Sequence, residues 1–133
     1  MRISHLGIAV KDLNASEALF SKLLGDSNVH RESVEDQGVN IVSFTLGQSV
    51  IELTESARED SSIAKFIAKR GEGIHHIAFE VENIKDAMSR MKDAGFELLS
   101  AEPKKGADNK LICFLHPKST NGVLVELCQE IKE

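Results

Sequence analysis

The strongest constraint on this chain is an internal repeat. Arg2-Ile3-Ser4-His5-Leu6-Gly7-Ile8-Ala9-Val10 can be laid on Gly73-Ile74-His75-His76-Ile77-Ala78-Phe79-Glu80-Val81. At an offset of 71, His76 falls on His5, Ala78 on Gly7, Phe79 on Ile8 and Val81 on Val10. A second match, at an offset of 74, lays Gln48-Ser49-Val50-Ile51-Glu52-Leu53 on Gly122-Val123-Leu124-Val125-Glu126-Leu127. The change of offset needs only a length difference in an intervening loop. Self-similarity of this kind means that one structural unit is built twice. Each copy opens with a strand carrying His and closes with a strand carrying Glu.

Successive side chains of a strand point to opposite faces. Ile3, His5, Gly7 and Ala9 therefore share one face, and Leu6, Ile8 and Val10 the other. In the second copy Ile74, His76, Ala78 and Glu80 share a face, opposite His75, Ile77, Phe79 and Val81. The bulkier face should pack on its own helix. The face with His5 and Gly7, or His76 and Ala78, is hollowed by small residues. A hollow lined by His5, His76, Glu52 and Glu126 is a candidate site for a divalent metal. Mixed nitrogen and oxygen donors suit Zn, Mn, Co, Ni or Fe better than Ca or Mg. His75 lies on the wrong face for that hollow and is expected to be structural or to support the ligands.

The elements follow from local signals. Residues 2–10 read as a strand. Asp12 or Asn14 caps a helix over about 14–24 with Leu19, Phe20, Leu23 and Leu24 as its apolar stripe, and Gly25 stops it. Residues 28–35 form a polar edge strand, Asp36-Gln37-Gly38 a turn, 39–46 an alternating strand, and Gly47-Gln48-Ser49 a hairpin into strand 50–54. That is β-α-β-β-β. A helix over 60–70, with Ile63, Phe66 and Ile67 inward, links the units. The second unit has strand 74–81, helix 84–94 stopped by Gly95, a short strand near 96–100, a loop over 102–110, and strands 111–116 and 123–128. The whole is read as one domain over 1–133, with module one about 1–57 and module two about 73–133.

Composition narrows the partners. The net charge of −5 without a basic block argues against a nucleic-acid partner. No run approaches the length of a membrane span, and no signal peptide is read at the start. Cys113 and Cys128, each in an apolar run, fit buried free thiols of a cytoplasmic protein, a disulfide being the other reading. Lys104, Lys105, Lys110 and Lys118 offer cations to a phosphorylated ligand; a solvated charged loop is the simpler reading.

At these residues the chain resembles the vicinal oxygen chelate superfamily, and within it the methylmalonyl-CoA epimerases. The likeness rests on four stretches. They are His5-Leu6-Gly7-Ile8-Ala9-Val10 with Asp12-Leu13; Ser62 to Phe66 with Gly71 to Val81; Glu102-Pro103 with the basic loop after it; and Phe114 to Ser119 with Gly122 to Leu127. Together they cover nearly the whole chain. The resemblance implies an α+β fold in which two βαβββ modules form a cupped mixed sheet around a metal, with His5, Glu52, His76 and Glu126 as ligands. It implies Co²⁺ first, with Zn²⁺, Mn²⁺ or Ni²⁺ as alternatives. The implied reaction interconverts the R and S forms of methylmalonyl-CoA through a metal-stabilised enolate, with Glu126 and Glu52 as candidate acid/base groups. Lys118 and Ser119 would meet the substrate carboxylate or thioester, and Lys104 and Lys105 the CoA phosphates. A homodimer is also expected. Some bacterial epimerases carry a glutamate three residues after the glycine of Glu-Gln-Gly-Val. The stretch here is Asp36-Gln37-Gly38-Val39, and that place holds Ile41. Another group must then act as the second base: Glu52, a metal-bound water, or one placed by Gln37. The other functions of this superfamily that the sequence admits are a lactoylglutathione lyase (glyoxalase I) and a metal-free small-molecule binding protein.

Overall fold

The computed structural model describes residues 1–26 and 28–132. The chain forms two compact units, one of Met1–His5 with His76–Glu133 and one of Leu6–His75. The first strand, β1 (Arg2–Ala9), is divided between them, so His5 belongs to the same unit as the second copy of the repeat.

In the Leu6–His75 unit, β1 leads into α1 (Leu13–Leu24), β2 (His30–Val34), β3 (Val39–Leu46), β4 (Ser49–Ser56) and α2 (Ser62–Arg70). The Asp12 side chain accepts a hydrogen bond from the Ala15 amide, and Gly25 closes α1 in the left-handed conformation that glycine adopts freely. β2, β3 and β4 pair antiparallel in that order. Gly38 supplies a positive φ of 66° at the turn into β3, and the Arg58 guanidinium clamps that turn by donating to the Glu35 carbonyl at 2.8 Å. Val10, Val42, Phe44 and Leu53 form the buried core, with Phe20 and Leu24 of α1 packed on it. Leu19 and Leu23 depart from the expected stripe, since they are 63% and 70% exposed. The α1 face that meets the core is narrower than four leucine-type positions would allow. Ser61 caps α2, whose Ile63 is buried.

In the other unit, β5 (Gly73–Glu80) enters α3 (Ile84–Asp93), capped by Asn83, and then come β6 (Lys104–Lys105), β7 (Lys110–Leu115) and β8 (Val125–Glu130). Their order is β5-β8-β7-β6; β5 and β8 are parallel and the other pairs antiparallel, so the sheet is mixed and the fold is α+β. Val81, Ile84, Ala87, Met88, Cys113 and Leu127 make the core beneath α3. The strand expected near 96–100 is replaced by a single bridge from Leu98 to Leu115. The pairing that closes this unit comes from Lys104 and Lys105 instead, inside the segment read as loop. Gly106 lets that segment approach β7, because a Cβ there would lie 2.9 Å from the Ile112 side chain. β8 also begins two residues later than its pattern suggests. The Thr120 hydroxyl bonds the Val123 carbonyl, and the Gly122 amide bonds that of Pro117, which ties the start of this stretch into the turn before it. Cys113 and Cys128 are buried free thiols.

Candidate metal centre

Strand register builds the site. In the parallel β5–β8 pair Ala78 stands opposite Glu126, and in the antiparallel β7–β8 pair Phe114 stands opposite it. Side chains alternate along each strand, so Glu126 rises on the face that carries Ala78, and therefore His76 two residues earlier. Ala78 is fully buried and small, which leaves room beside the imidazole. Ala78, Ile112 and Cys128 floor this face, with Phe114 packed against them, and Phe114 meets His76 edge-to-face at 5.7 Å.

The polar atoms converge. His5 Nε2 lies 3.1 Å from His76 Nε2. Glu126 places Oε2 3.4 Å from His5 Nε2 and Oε1 3.4 Å from His76 Nε2. All three residues are buried. A buried carboxylate is costly unless it is matched by donors or a cation. Two imidazole nitrogens and a carboxylate directed at one point form a donor set suited to a divalent ion. Burial, aided by the nearby Lys110 charge, pushes the His5 pKa down to about 4. Its imidazole is therefore neutral at pH 7 and has a lone pair to give. The Cys128 sulfur lies close to the same cluster, but burial raises its pKa and it remains a protonated thiol at neutral pH.

Glu52 is buried on β4 of the other unit, opposite Ser43 of β3, which is opposite His30 of β2. One register step away on the same face stand Thr54, Ile41 and Glu32. Glu32 is thus the carboxylate directly across from Ile41, and its Oε1 is 3.8 Å from His30 Nε2. Nothing along the chain singles out Glu32, because cross-strand pairing is invisible there; the alternation of residues 28–35 against 39–46 is its only signal.

The remaining candidates are dispersed. Lys104 and Lys105 are exposed on β6. Lys118 is exposed on the turn after β7 and pairs with Glu97 at 2.8 Å, while the Ser119 hydroxyl donates to the His116 carbonyl. Lys110 departs from the loop-lysine group. It is largely buried, and its ammonium donates to Ser4 Oγ at 2.9 Å. His75, on the opposite face from His76, meets Phe66 of α2 edge-to-face at 5.0 Å, a packing role.

Comparison with known proteins adds four likenesses. The pattern of the Glyoxalase/Bleomycin resistance protein/Dioxygenase superfamily matches residues 4–114. The ethylmalonyl-CoA/methylmalonyl-CoA epimerase of Cereibacter sphaeroides is 45% identical over 130 residues, covering 96% of this chain and 97% of that protein. Among solved structures, a variant of Streptomyces coelicolor methylmalonyl-CoA epimerase in complex with 2-nitronate-propionyl-CoA superposes with a TM-score of 0.94 at 38% identity, over 99% of each chain. A methylmalonyl-CoA epimerase in complex with methylmalonyl-CoA and NH4+ gives a TM-score of 0.92 at 39% identity, over 97% of this chain and 94% of that one.

Proposed function

The chain belongs to the Glyoxalase/Bleomycin resistance protein/Dioxygenase superfamily, and on that premise we propose that it is a metal-dependent epimerase of methylmalonyl-CoA. The observation that carries the metal is the convergence of His5 Nε2, His76 Nε2 and both Glu126 oxygens within 3.1–3.4 Å in a buried setting. The likeness to epimerases that bind CoA thioesters supports the substrate. His5, His76 and Glu126 would hold the ion. Glu52, which matches Glu126 in repeat position and is buried, is the sequence-based candidate for a further ligand. A divalent ion bound there supplies a Lewis acid for the negative charge that grows on the thioester oxygen as the α-proton leaves.

The chain's own residues supply the proton chemistry. A carboxylate takes the α-proton, and the C–H electron pair passes into the thioester carbonyl. Return of a proton from the opposite face inverts the carbon, so two groups are needed. Glu126 fits one role. Glu32, across from Ile41 on the face that carries Glu52, is the candidate for the other. Lys104 and Lys105 are the candidates for the CoA phosphates, and Lys118 and Ser119 for the acyl end.

The test is proton NMR of methylmalonyl-CoA in D₂O with Co²⁺-loaded protein beside His76→Ala. Loss of the α-proton signal with the wild type alone is expected. No exchange by the metal-loaded wild type would overturn the proposal, and the hemithioacetal of methylglyoxal and glutathione would be assayed next.

A further inference from the structure

Behind His5 lies a chain of polar contacts that the proposed chemistry does not use. Ser4 is only 2% exposed, and its Oγ is 3.1 Å from His5 Nδ1, the ring nitrogen facing away from the candidate metal centre. The Lys110 ammonium donates to the same Oγ at 2.9 Å. Lys110 is itself held beside Glu80, whose Oε1 is 3.9 Å from Nζ and whose Oε2 accepts from Arg2 Nε at 3.1 Å. On its third side Ser4 meets the Cys128 sulfur, which passes its own hydrogen toward the Phe79 carbonyl at 3.6 Å.

Donor counting gives the one arrangement that satisfies every contact of Ser4. An ammonium has donors only, so Lys110 occupies one lone pair of Ser4 Oγ. A thiol that donates to Phe79 leaves its sulfur as an acceptor, and the single Ser4 hydrogen goes there. The remaining Ser4 lone pair can then only accept, and it accepts from His5 Nδ1–H. A neutral imidazole with its hydrogen on Nδ1 has its lone pair on Nε2, the atom that faces His76 and Glu126. In the metal-free protein His76 Nε2–H is then the donor in the contact between the two rings.

We propose that Ser4 and Lys110 are positioning residues for the metal, fixing the tautomer and the ring orientation of His5 through the Ser4 hydroxyl. The proposal rests on the metal reading above and adds to it residues that touch neither ion nor substrate. Partners behind a ligating histidine typically change metal affinity 10–100-fold when lost. Here that partner is a hydroxyl gripped by a cation.

Two measurements test it. Nitrogen-15 NMR of the histidine rings in the metal-free protein at pH 7 should show His5 as the Nδ1–H tautomer, and Ser4→Ala should give a mixture. Co²⁺ titration by calorimetry and visible absorption should show Ser4→Ala about tenfold or more weaker than wild type, with a changed absorption band. Lys110→Met should change affinity through Ser4. Its ammonium also repels the ion directly, but that repulsion persists in the Ser4→Ala background, so a double-mutant cycle isolates the part transmitted by the hydroxyl. Alanine adds no bulk and Met follows the lysine stem, so both variants should keep the fold, checked by circular dichroism. An Nε2–H tautomer at His5 in wild type, Ser4→Ala affinity within twofold of wild type, or equal Lys110→Met effects in both backgrounds would overturn the positioning role alone. A wild type that binds no Co²⁺ would overturn the metal reading and this role with it.

Discussion

His5 and His76 point their Nε2 atoms at each other across 3.1 Å, although 71 positions separate them in the chain. Two imidazoles so placed can share one hydrogen when empty or one cation when loaded. Removing either leaves a single nitrogen and one carboxylate in that unit. His76→Ala is therefore expected to weaken Co²⁺ binding at least about 100-fold and to abolish α-proton exchange, as read by calorimetry and by NMR in D₂O. Co²⁺ affinity within tenfold of wild type would show that the histidine pair is not the site.

A two-base mechanism makes a directional prediction for Glu32. If Glu32 is the second acid/base group, one epimer in Glu32→Gln should still lose its α-proton to D₂O while inversion slows by about 100-fold or more. Exchange and inversion would be followed together by NMR and chiral analysis of the product. Unchanged inversion would leave the second role to Glu52 or to water. Glu126→Gln should lower both exchange and inversion by about 10²–10⁴-fold, and cobalt content must be measured alongside, since the same carboxylate is a candidate ligand.

Acid stability should bear the mark of His75. Burial against Phe66 pushes its pKa down to about 4 from an ordinary value of 6.5. The unfolded chain therefore binds more protons than the folded one between those values, and stability rises with pH across that window. Conversely, the stabilisation is full above about pH 6.5 and is lost as pH falls toward 4, by about 3 kcal/mol at most. Urea unfolding at pH 7 and pH 4.5 should give a smaller difference for His75→Gln than for wild type. An equal difference would mean that the imidazole is free to protonate in the fold.

The β6 lysines bear on cofactor-sized substrates. If Lys104 and Lys105 meet CoA phosphates, replacing both with Glu should raise KM about tenfold or more and leave kcat within twofold. The effect should shrink as salt is raised. An unchanged KM would assign them to a solvated strand edge.

Much of the fold was legible because its signals are local. Asp12 and Gly25 bound α1, Gly38 demands its turn, and period-two alternation marks β1, β3 and β5. The His5/His76 repeat even indicated which strand face carries the two histidines. Other features depended on contacts between distant segments. Leu19 and Leu23 are apolar yet exposed, since only packing decides which part of an amphipathic surface meets the core. The strand read near 96–100 yielded to Lys104–Lys105, because Gly106 lets that segment approach Ile112. Lys110 looked like its loop neighbours in sequence, yet it is drawn in beside Ser4.

The sequence by itself determined the duplicated unit, its helices and most of its strands, and the types of donor that could hold a metal. Hydrogen-bonding alternation and helix capping act within a few residues, so the order of amino acids encodes them directly. Only the tertiary structure decided that Glu126 faces His76 through the Ala78 register, that Glu32 stands opposite Ile41, and that Ser4 links Lys110 to His5. Those relations are set by strand pairing and side-chain packing between residues far apart in the chain, and no local pattern carries them.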